Sequence, residues 1–332
     1  MQMADRNTGD RETLWFFPHM STEKYKISIY NHMLNEDVYS RIMPYRSYDI
    51  KTKTPLVQLS SPNELVQKDI ILALSGNNHP RYNLEDAVSH FIRECTKIIM
   101  YAGQGIYEVV NYTDEITSEI SFSKLESVPN GNIKFFFGQP FQILPNMKNF
   151  ELEEPRFKII TKDKLVLFKM PEPYRSNYKA LQSQLDILGK NKVNDLHIKS
   201  LEQNSKQGKP RFNQKIKVMD GFKFSDLAVL SATNLMGWNA RQYESKYLQE
   251  YFTLVRFLRF ERFKLKLRNS ILDTINKNLS RLVSNSAYVG ELQFHGLPTA
   301  EDIEEAEKDL RKGNRKFKDI ADLFLELYIL EP

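Results

Sequence analysis

The residues of this chain that have the right types for catalysis or metal binding are few and scattered. The six histidines stand at positions 19, 32, 79, 90, 197 and 295, and none has the spacing that a zinc site needs. The stretch YAGQGIY (residues 101–107) holds two glycines but lacks the rest of a phosphate-binding loop, and no GxSxG motif occurs. The sequence therefore predicts no catalytic residue, no metal site, no cofactor and no enzymatic activity.

Two further candidates for chemistry have simpler explanations. Cys95 is the only cysteine, and it falls on the apolar face of a predicted helix, which favours a core thiol over a nucleophile. The triplet Asp49–Lys51 imitates part of a nuclease motif, but such fragments arise by chance in a chain with 27% charged residues. An enzyme whose site is visible only beside homologues stays as the least favoured alternative.

The position of the charges is more informative than their sum. The net charge of +5 is mild, but Lys190–Lys217 carries eight basic and two acidic residues, whereas Thr299–Pro332 carries ten acidic and six basic residues. A basic stretch of this kind can bind nucleic-acid phosphates, although it more often solubilises a loop or meets a protein neighbour. The candidates for facing DNA are Lys190, Lys192, Lys206, Lys209, Arg211 and Lys215.

The start of the chain and its hydropathy bear on location. The first residues, MQMADRNTGDRETLWFF, are polar and mixed in charge, so we expect no signal peptide. The longest aliphatic run, Ile70–Leu74, is too short to cross a bilayer. A single cysteine fits a reducing compartment, so the expected location is the cytoplasm of a cell or of an infected cell.

The elements that would position these residues divide the chain into four regions. Residues 1–80 are rich in turn formers and predict an irregular arm with short strands and one helix near 62–74. Residues 81–189 predict a helix that starts at Asn83 and ends at Gly103, followed by strands and a helix over 176–188 that Gly189 ends. Residues 190–221 predict a basic loop.

The last region, residues 222–332, is mostly helical. The pattern predicts a short helix over 225–236, the turn GWNAR, a long helix over Arg241–Val283, a short strand in GELQFHGLP, and two helices in the acidic end at 300–312 and 317–330. A capping box of Thr299 and Asp302 marks the start of the first acidic helix. We therefore predict an α+β fold.

The long helix has two apolar faces. From residue 251 to residue 282 the apolar positions alternate in steps of three and four, with Glu261 and Arg268 as the exceptions, and a second stripe lies nearly opposite. Such a helix is packed on both sides, either as the central helix of one domain or between its own domain and the next subunit of a ring. Nucleic-acid binding is least favoured, since most aromatic residues lie on the stripes, away from the arginines. The candidates for subunit packing are Phe252, Leu258, Phe263, Leu265, Ile271 and Leu272.

The order of these elements resembles that of the portal proteins of tailed bacteriophages. The matching segments of the first half are AVSHFIRECTKIIMYAGQGIYEVVNY, IKFFFGQPFQILP and KDKLVLFKMPEPYRSNYKALQSQLDIL. Those of the second half are LAVLSATNLMGWNARQYESKYLQEYF, LRNSILDTINKNL and LQFHGLPTAEDIEEAEKDLRKG. The resemblance covers about residues 84–312 and lies in element order and scattered residues, without one invariant motif.

The resemblance implies a portal-like fold with a helix–strand N-terminal half, in which residues 81–189 are wing-like and residues 190–221 belong to a clip or channel. It implies a homo-oligomeric ring, a dodecamer, at one capsid vertex of a virion that is assembled in the host cytoplasm. Double-stranded DNA would pass through it non-specifically, and the major capsid protein, the terminase and the head–tail connector would be its partners. The alternative is a monomeric or dimeric nucleic-acid-binding or adaptor protein that uses the stretch 190–217 directly.

Overall fold

The structure is a computed structural model of an α+β protein. It describes residues 7–13, 28–44, 54–75, 83–114, 120–128, 133–143, 157–204, 227–241, 250–284, 288–314 and 319–320. The side chains of residues 7–9, 114, 191–204 and 250 lie outside this description. Among the described helices, none combines the length and the hydropathy that a membrane-spanning segment needs.

The described part of the N-terminal region packs in the core and holds two helices, whereas the sequence predicts an irregular arm with one helix. Helix α1 (Ile29–Tyr39) begins at Ser28, whose side chain accepts a hydrogen bond from the Asn31 amide. Strand β2 (Val57–Leu59) and helix α2 (Glu64–Leu74) follow, and α2 is the helix predicted near 62–74. All three elements bury side chains in the main hydrophobic cluster. The sequence hides α1 because this helix also buries polar residues, namely Asn31, Asn35 and Asp37.

Helix α3 (Leu84–Ala102) and strand β3 (Gln104–Asp114) confirm the prediction for this part of the chain. The Asn83 side chain accepts from the Asp86 amide at the start of α3, and Gly103 ends the helix with φ 79°. Strand β3 is the centre of an antiparallel sheet. Strand β4 (Ile120–Val128) pairs with one edge of it, while β8 (Leu165–Lys169) and β1 (Asn7–Gly9) share the other edge.

The two faces of this sheet meet different partners. One face places Tyr107, Val109 and Phe168 in the main cluster against α3, where the rings of Tyr107 and Phe168 lie 5.2 Å apart. The other face places Ile106 and Leu165 in a smaller cluster with residues of a second sheet.

The second sheet consists of β5 (Ile133–Phe136), β6 (Gln139–Ile143) and β7 (Phe157–Ile159). The sequence predicts strands in this part of the chain without their pairing, and the structure pairs β5 and β6 as a hairpin. Phe137 and Gly138 form the two-residue turn with φ values of 47° and 77°, and tight hairpin turns need this left-handed conformation. Phenylalanine is an unusual residue in such a turn, so the sequence gives little sign of it.

Helix α4 (Tyr174–Asn204) continues through Gly189, so the predicted end at that glycine is wrong. A Cβ atom at residue 189 would lie 2.6 Å from the Cβ atom of Ser28. The glycine therefore permits close contact between α4 and the start of α1 and does not end the helix. The predicted loop over 190–221 is wrong for residues 190–204, which are helical.

The long helix, α5 (Glu250–Lys277), is separated from the short α6 (Leu279–Leu282) by a turn at Asn278. Its predicted start at Arg241 is wrong, since Arg241 is in a turn with φ 61°. Strand β9 (Leu292–Phe294) confirms the predicted strand and pairs with β2. Helix α7 (Ala300–Lys312) begins with the predicted capping box and ends at Gly313, whereas the last predicted helix lies mostly outside the described residues.

Candidate functional site

The first face of α5 packs on the acidic helix α7. Leu254, Leu258 and Leu265 form a cluster with Ile303 and Ala306 of α7, and Ile320 completes it. The two exceptions in the apolar seam also have partners in the chain. Glu261 forms an ion pair with Lys264 at 2.7 Å, and Arg268 donates to the Pro298 carbonyl oxygen at 3.3 Å. This face is therefore closed within the chain.

The second face of α5 packs on the main core. Phe263 and Ile271 of this face lie in the main cluster, as does Leu272 from the C-terminal part of the first face, and the Phe263 ring contacts the Tyr174 ring edge to face at 4.7 Å. Five of the six candidates for subunit packing, all except Phe252, are thus buried in their own chain. Phe252 is 42% exposed. Of the two alternatives for this helix, the packing favours the central helix of one domain, because α7 covers the face of Leu258 and Leu265.

A buried arginine joins α5 to residues 227–241. The Arg256 side chain, 1% exposed, donates to the carbonyl oxygens of Leu230 and Trp238, to Asn239 Oδ1 and to Thr233 Oγ1 at 2.5–2.8 Å. Burial lowers the pKa of Arg256 to about 10, and the nearby charge of Arg259 acts in the same direction. Arg256 therefore keeps its charge at neutral pH. Four of its five N–H donors are bonded within the chain and the side chain is buried, so Arg256 serves the fold and does not reach DNA.

The same segment is fixed to α1 from the other side. Trp238 Nε1 donates to Asp37 Oδ2 at 2.8 Å, and the Arg241 guanidinium donates to Asp37 Oδ1 at 2.8 Å and to Glu36 Oε2 at 2.7 Å. Gly237 touches α5 so closely that a Cβ atom there would lie 2.2 Å from the Arg256 carbonyl oxygen. We call residues 227–241, with these bonds to α1 and α5, the clamp.

In the sequence, the six basic candidates either belong to the C-terminal part of α4 or follow it before the clamp begins. Lys190 is exposed on α4. Lys192 belongs to the same helix, but its side chain lies outside the described residues, as do Lys206, Lys209, Arg211 and Lys215 entirely. The structure therefore does not bring the six candidates together in one described site, and their role in DNA contact stays a prediction.

A cluster of buried acidic residues, which the sequence does not mark, lies on the sheet centred on β3. We call this sheet the main sheet. Glu108 and Glu126 are direct neighbours across β3 and β4, and they are 0% and 7% exposed. Glu108 accepts from the backbone amides of Glu12 and Thr13, and Arg11 forms an ion pair with Glu126. These bonds hold residues 11–13 against the sheet, so the cluster fixes the segment that follows the N-terminal strand β1. Among the described residues, no group of three or more His, Cys, Asp or Glu side chains has the geometry of a metal site.

Two other titratable groups are buried in structural positions. Burial raises the pKa of the Cys95 thiol well above its ordinary value, so the thiol stays protonated, in agreement with the predicted core thiol. Glu85, 6% exposed, accepts from the Leu56 amide at 3.1 Å, while its Oε1 atom has no hydrogen-bond partner. Burial raises the pKa of Glu85 from 4.5 to about 7. Neither group lies in a cluster that indicates catalysis.

The surface that stands out is the outer face of the second sheet. By strand alternation and register, Phe136, Phe141, Ile143, Phe157 and Ile159 share this face, while Ile133 and Gln142 on the opposite face are buried. Phe136 is 67% exposed and Ile159 is 63% exposed. An antiparallel sheet with one buried face usually carries polar residues on the other. We call these five residues the bare face.

The comparisons with known proteins add no relative. Neither the protein-family models nor the curated proteins contain a match to this chain.

Proposed function

We propose that this chain is the subunit of a ring-shaped portal at one vertex of a virus capsid, through which double-stranded DNA is packaged and ejected. The observation that carries the proposal is how the basic stretch is anchored. It begins on α4, whose first half packs in the core through Tyr178 and Leu185, and the chain returns to the core at the clamp. A basic segment whose two ends are fixed in the core suits the wall of a channel that contacts DNA phosphates regardless of the base sequence.

The element order supports the same proposal. Helix α3 leads through a glycine into β3, antiparallel strands follow, and α4, the clamp, α5, β9 and the acidic α7 come next. This is the order on which the resemblance to portal proteins rests. The major capsid protein, the terminase and the head–tail connector are the partners that the proposal includes, and the virion is its location.

The mass of the purified chain tests the proposal most directly. Twelve chains of 39.0 kDa give about 470 kDa, which light scattering or mass photometry separates clearly from smaller species. A particle near that mass with a central channel in negative-stain images is the expected result. A monomer or dimer at all concentrations up to tens of micromolar contradicts the ring.

DNA contact has its own test. Replacing Lys206, Lys209, Arg211 and Lys215 together by glutamine should leave the melting temperature nearly unchanged, because solvated charges contribute little to stability. Binding to duplex DNA should weaken equally for all sequences, with the slope of log affinity against log salt falling by about 0.9 for each phosphate that the variant no longer neutralises. Unchanged binding across a salt series would show that these residues only solubilise the chain or contact a protein.

A specific observation favours a second candidate function. Both faces of α5 are covered within the chain, so this helix requires no neighbouring subunit. A monomeric or dimeric nucleic-acid-binding or adaptor protein that uses the basic stretch directly is the alternative. This alternative is distinguished from the portal by two results together: the purified protein has the mass of a monomer or dimer, and the four glutamine substitutions abolish its DNA binding.

The proposed function includes no turnover of a substrate. Purified protein should therefore leave plain duplex DNA intact in the presence of Mg²⁺ or Mn²⁺. Metal-dependent cleavage that a single carboxylate substitution abolishes would overturn this part of the proposal.

A further inference from the structure

We infer that the bare face of the second sheet is a self-association surface that a second copy of this chain covers. The inference goes beyond the proposed ring, because a face that meets the same face of a second copy closes a dimer and does not by itself build a ring. It starts from the finding that the residues expected to pack subunits, such as Leu258 and Leu265, are buried inside their own chain. A contact between copies must then use another surface.

The geometry of the second sheet makes the bare face continuous. Phe141 lies between Lys134 on β5 and Ile159 on β7, and Ile143 lies opposite Phe157. The Phe141 and Phe157 rings are 5.0 Å apart. Directly opposite and diagonal neighbours on one sheet face are close enough for their side chains to touch. The side chains therefore form one apolar surface and are not isolated exposed residues.

The hairpin tip extends this surface. Phe137 is 96% exposed, and its ring contacts the Phe136 ring edge to face at 4.6 Å. Phe137 also holds a φ of 47°, a conformation that disfavours a side chain as large as phenylalanine. An aromatic ring in a strained, fully exposed turn contributes little to the fold of a single chain. It has a role only if something covers it.

The exposed area fits a protein interface. A phenylalanine exposes roughly 200 Å² in full, and Phe136, Phe137 and Phe157 are 67%, 96% and 52% exposed. With Ile143 and Ile159, the patch reaches on the order of 600 Å², at the upper end for the largest apolar patch of a monomer. A stable interface buries about 800 Å² on each partner. Polar residues at the rim would supply the area that the apolar patch does not.

The chemistry of the face selects a copy of the same chain as the occupant. Among the described residues of this face, Lys134 carries the only charge, so two copies bring almost no like charge together. Nucleic acid is disfavoured, because one lysine beside five apolar side chains offers too few phosphate contacts. An apolar surface of this size is matched by another apolar surface, and the chain itself supplies one.

The test compares the masses of the full-length wild type and of two sets of variants. Phe136→Asp combined with Ile159→Asp places two carboxylates on the bare face. Leu65→Asp is the matched control, because Leu65 is 71% exposed on α2, away from the sheet. Light scattering or mass photometry over a range of micromolar concentrations gives the masses, and circular dichroism gives the melting curves. A milder pair, Phe136→Ser with Ile159→Ser, repeats the test without added charge.

The expected result is a wild type with an even number of chains, a control of the same mass, and bare-face variants that have half the wild-type mass and keep a cooperative melting transition. A bare-face variant that keeps the wild-type mass would overturn the inference, as would a wild type that is monomeric throughout the range. A twelve-subunit ring that survives both bare-face variants would retain the portal proposal without this contact. A wild-type dimer that these variants dissociate would retain the contact and overturn the ring.

Discussion

The long helix α5 and the second sheet both carry two apolar faces, but the chain covers them differently. Helix α5 lies between the main core and α7, so Phe263 and Leu258, on different faces, are both 0% exposed. The second sheet buries Ile133 against the main sheet and leaves Phe136 and Ile159 exposed. A second apolar face thus indicates another subunit only when no later element of the same chain covers it. In α5 that later element is the acidic helix.

The largest expected difference between the two regions is in stability. Leu265→Asp places a carboxylate in the apolar cluster between α5 and α7 and should lower the free energy of unfolding by about 3–5 kcal/mol, because burial there removes its hydration. The melting temperature should fall on the order of 10 °C. The matched control is Lys266→Asp, on an exposed neighbouring residue of the same helix. If Leu265→Asp melts within a degree or two of the wild type, this face of α5 is not buried.

A second substitution tests the hydrogen bonds between α5 and the clamp. Arg256→Met removes the donor to the buried Leu230 carbonyl oxygen and to Asn239 Oδ1, which should lower the free energy of unfolding by about 2–4 kcal/mol. Arg259→Met is the control, since Arg259 bonds only to the exposed Asn234 in the described structure. Urea denaturation gives both values. Equal midpoints for the two variants would mean that the clamp does not depend on Arg256.

A third test uses pH to probe a covered region of the main core. The pKa of Glu85 is raised to about 7 by burial, so between pH 4.5 and 7 the folded chain holds a proton that the unfolded chain has released. This group therefore makes the protein less stable as pH rises through that window, and the loss is complete above it. At pH 8, Glu85→Gln should raise the free energy of unfolding by about 1–3 kcal/mol, and with it the melting temperature. At pH 4.5 it should leave both nearly unchanged.

The control for this test is Glu94→Gln, an exposed position on the same helix α3. It should leave the difference in melting temperature between pH 4.5 and pH 8 as it is in the wild type. A Glu85→Gln variant with the wild-type difference would show that Glu85 is solvated and titrates normally.

The smallest expected effect concerns the uncovered region. Phe137→Gly relieves a left-handed backbone conformation at the hairpin tip and removes a ring that is 96% exposed. Stability of the dilute chain should stay equal or rise by about 0.5 kcal/mol. Self-association should weaken at the same time. A loss of stability above about 1 kcal/mol by urea denaturation would place Phe137 among the residues that hold the fold.

The sequence predicted the elements whose signals are local. Asn83 and Gly103 delimit α3, Thr299 and Gly313 delimit α7, and the two-faced pattern of α5 is present as predicted, because caps and periodicity are read within a few residues. It did not predict α1, since Asp37 and Asn31 of that helix bond to distant partners, Trp238 and Gln182. Gly189 misled for the same reason, because its contact, Ser28, is distant in the chain.

The candidate surface was less predictable than the fold. The sequence marks both Leu265 and Phe136 only as apolar, and exposure distinguishes them after α7 and the main sheet have taken their places. The sequence signal that was present is the apolar run of FFF at residues 135–137 beside the glycine of a possible turn. Recognition of that turn would have given a hairpin with aromatic residues at its tip.

The clamp has a mechanical consequence. The chain between Asn204 and residue 227 is attached downstream to two helices at once, to α1 through Asp37 and to α5 through Arg256. Tension on that stretch would reach first the bonds of Leu230 and Thr233 to Arg256 and then those of Trp238 and Arg241 to Asp37. Two successive attachments, to two different helices, must therefore break before such tension separates the clamp from the body of the protein.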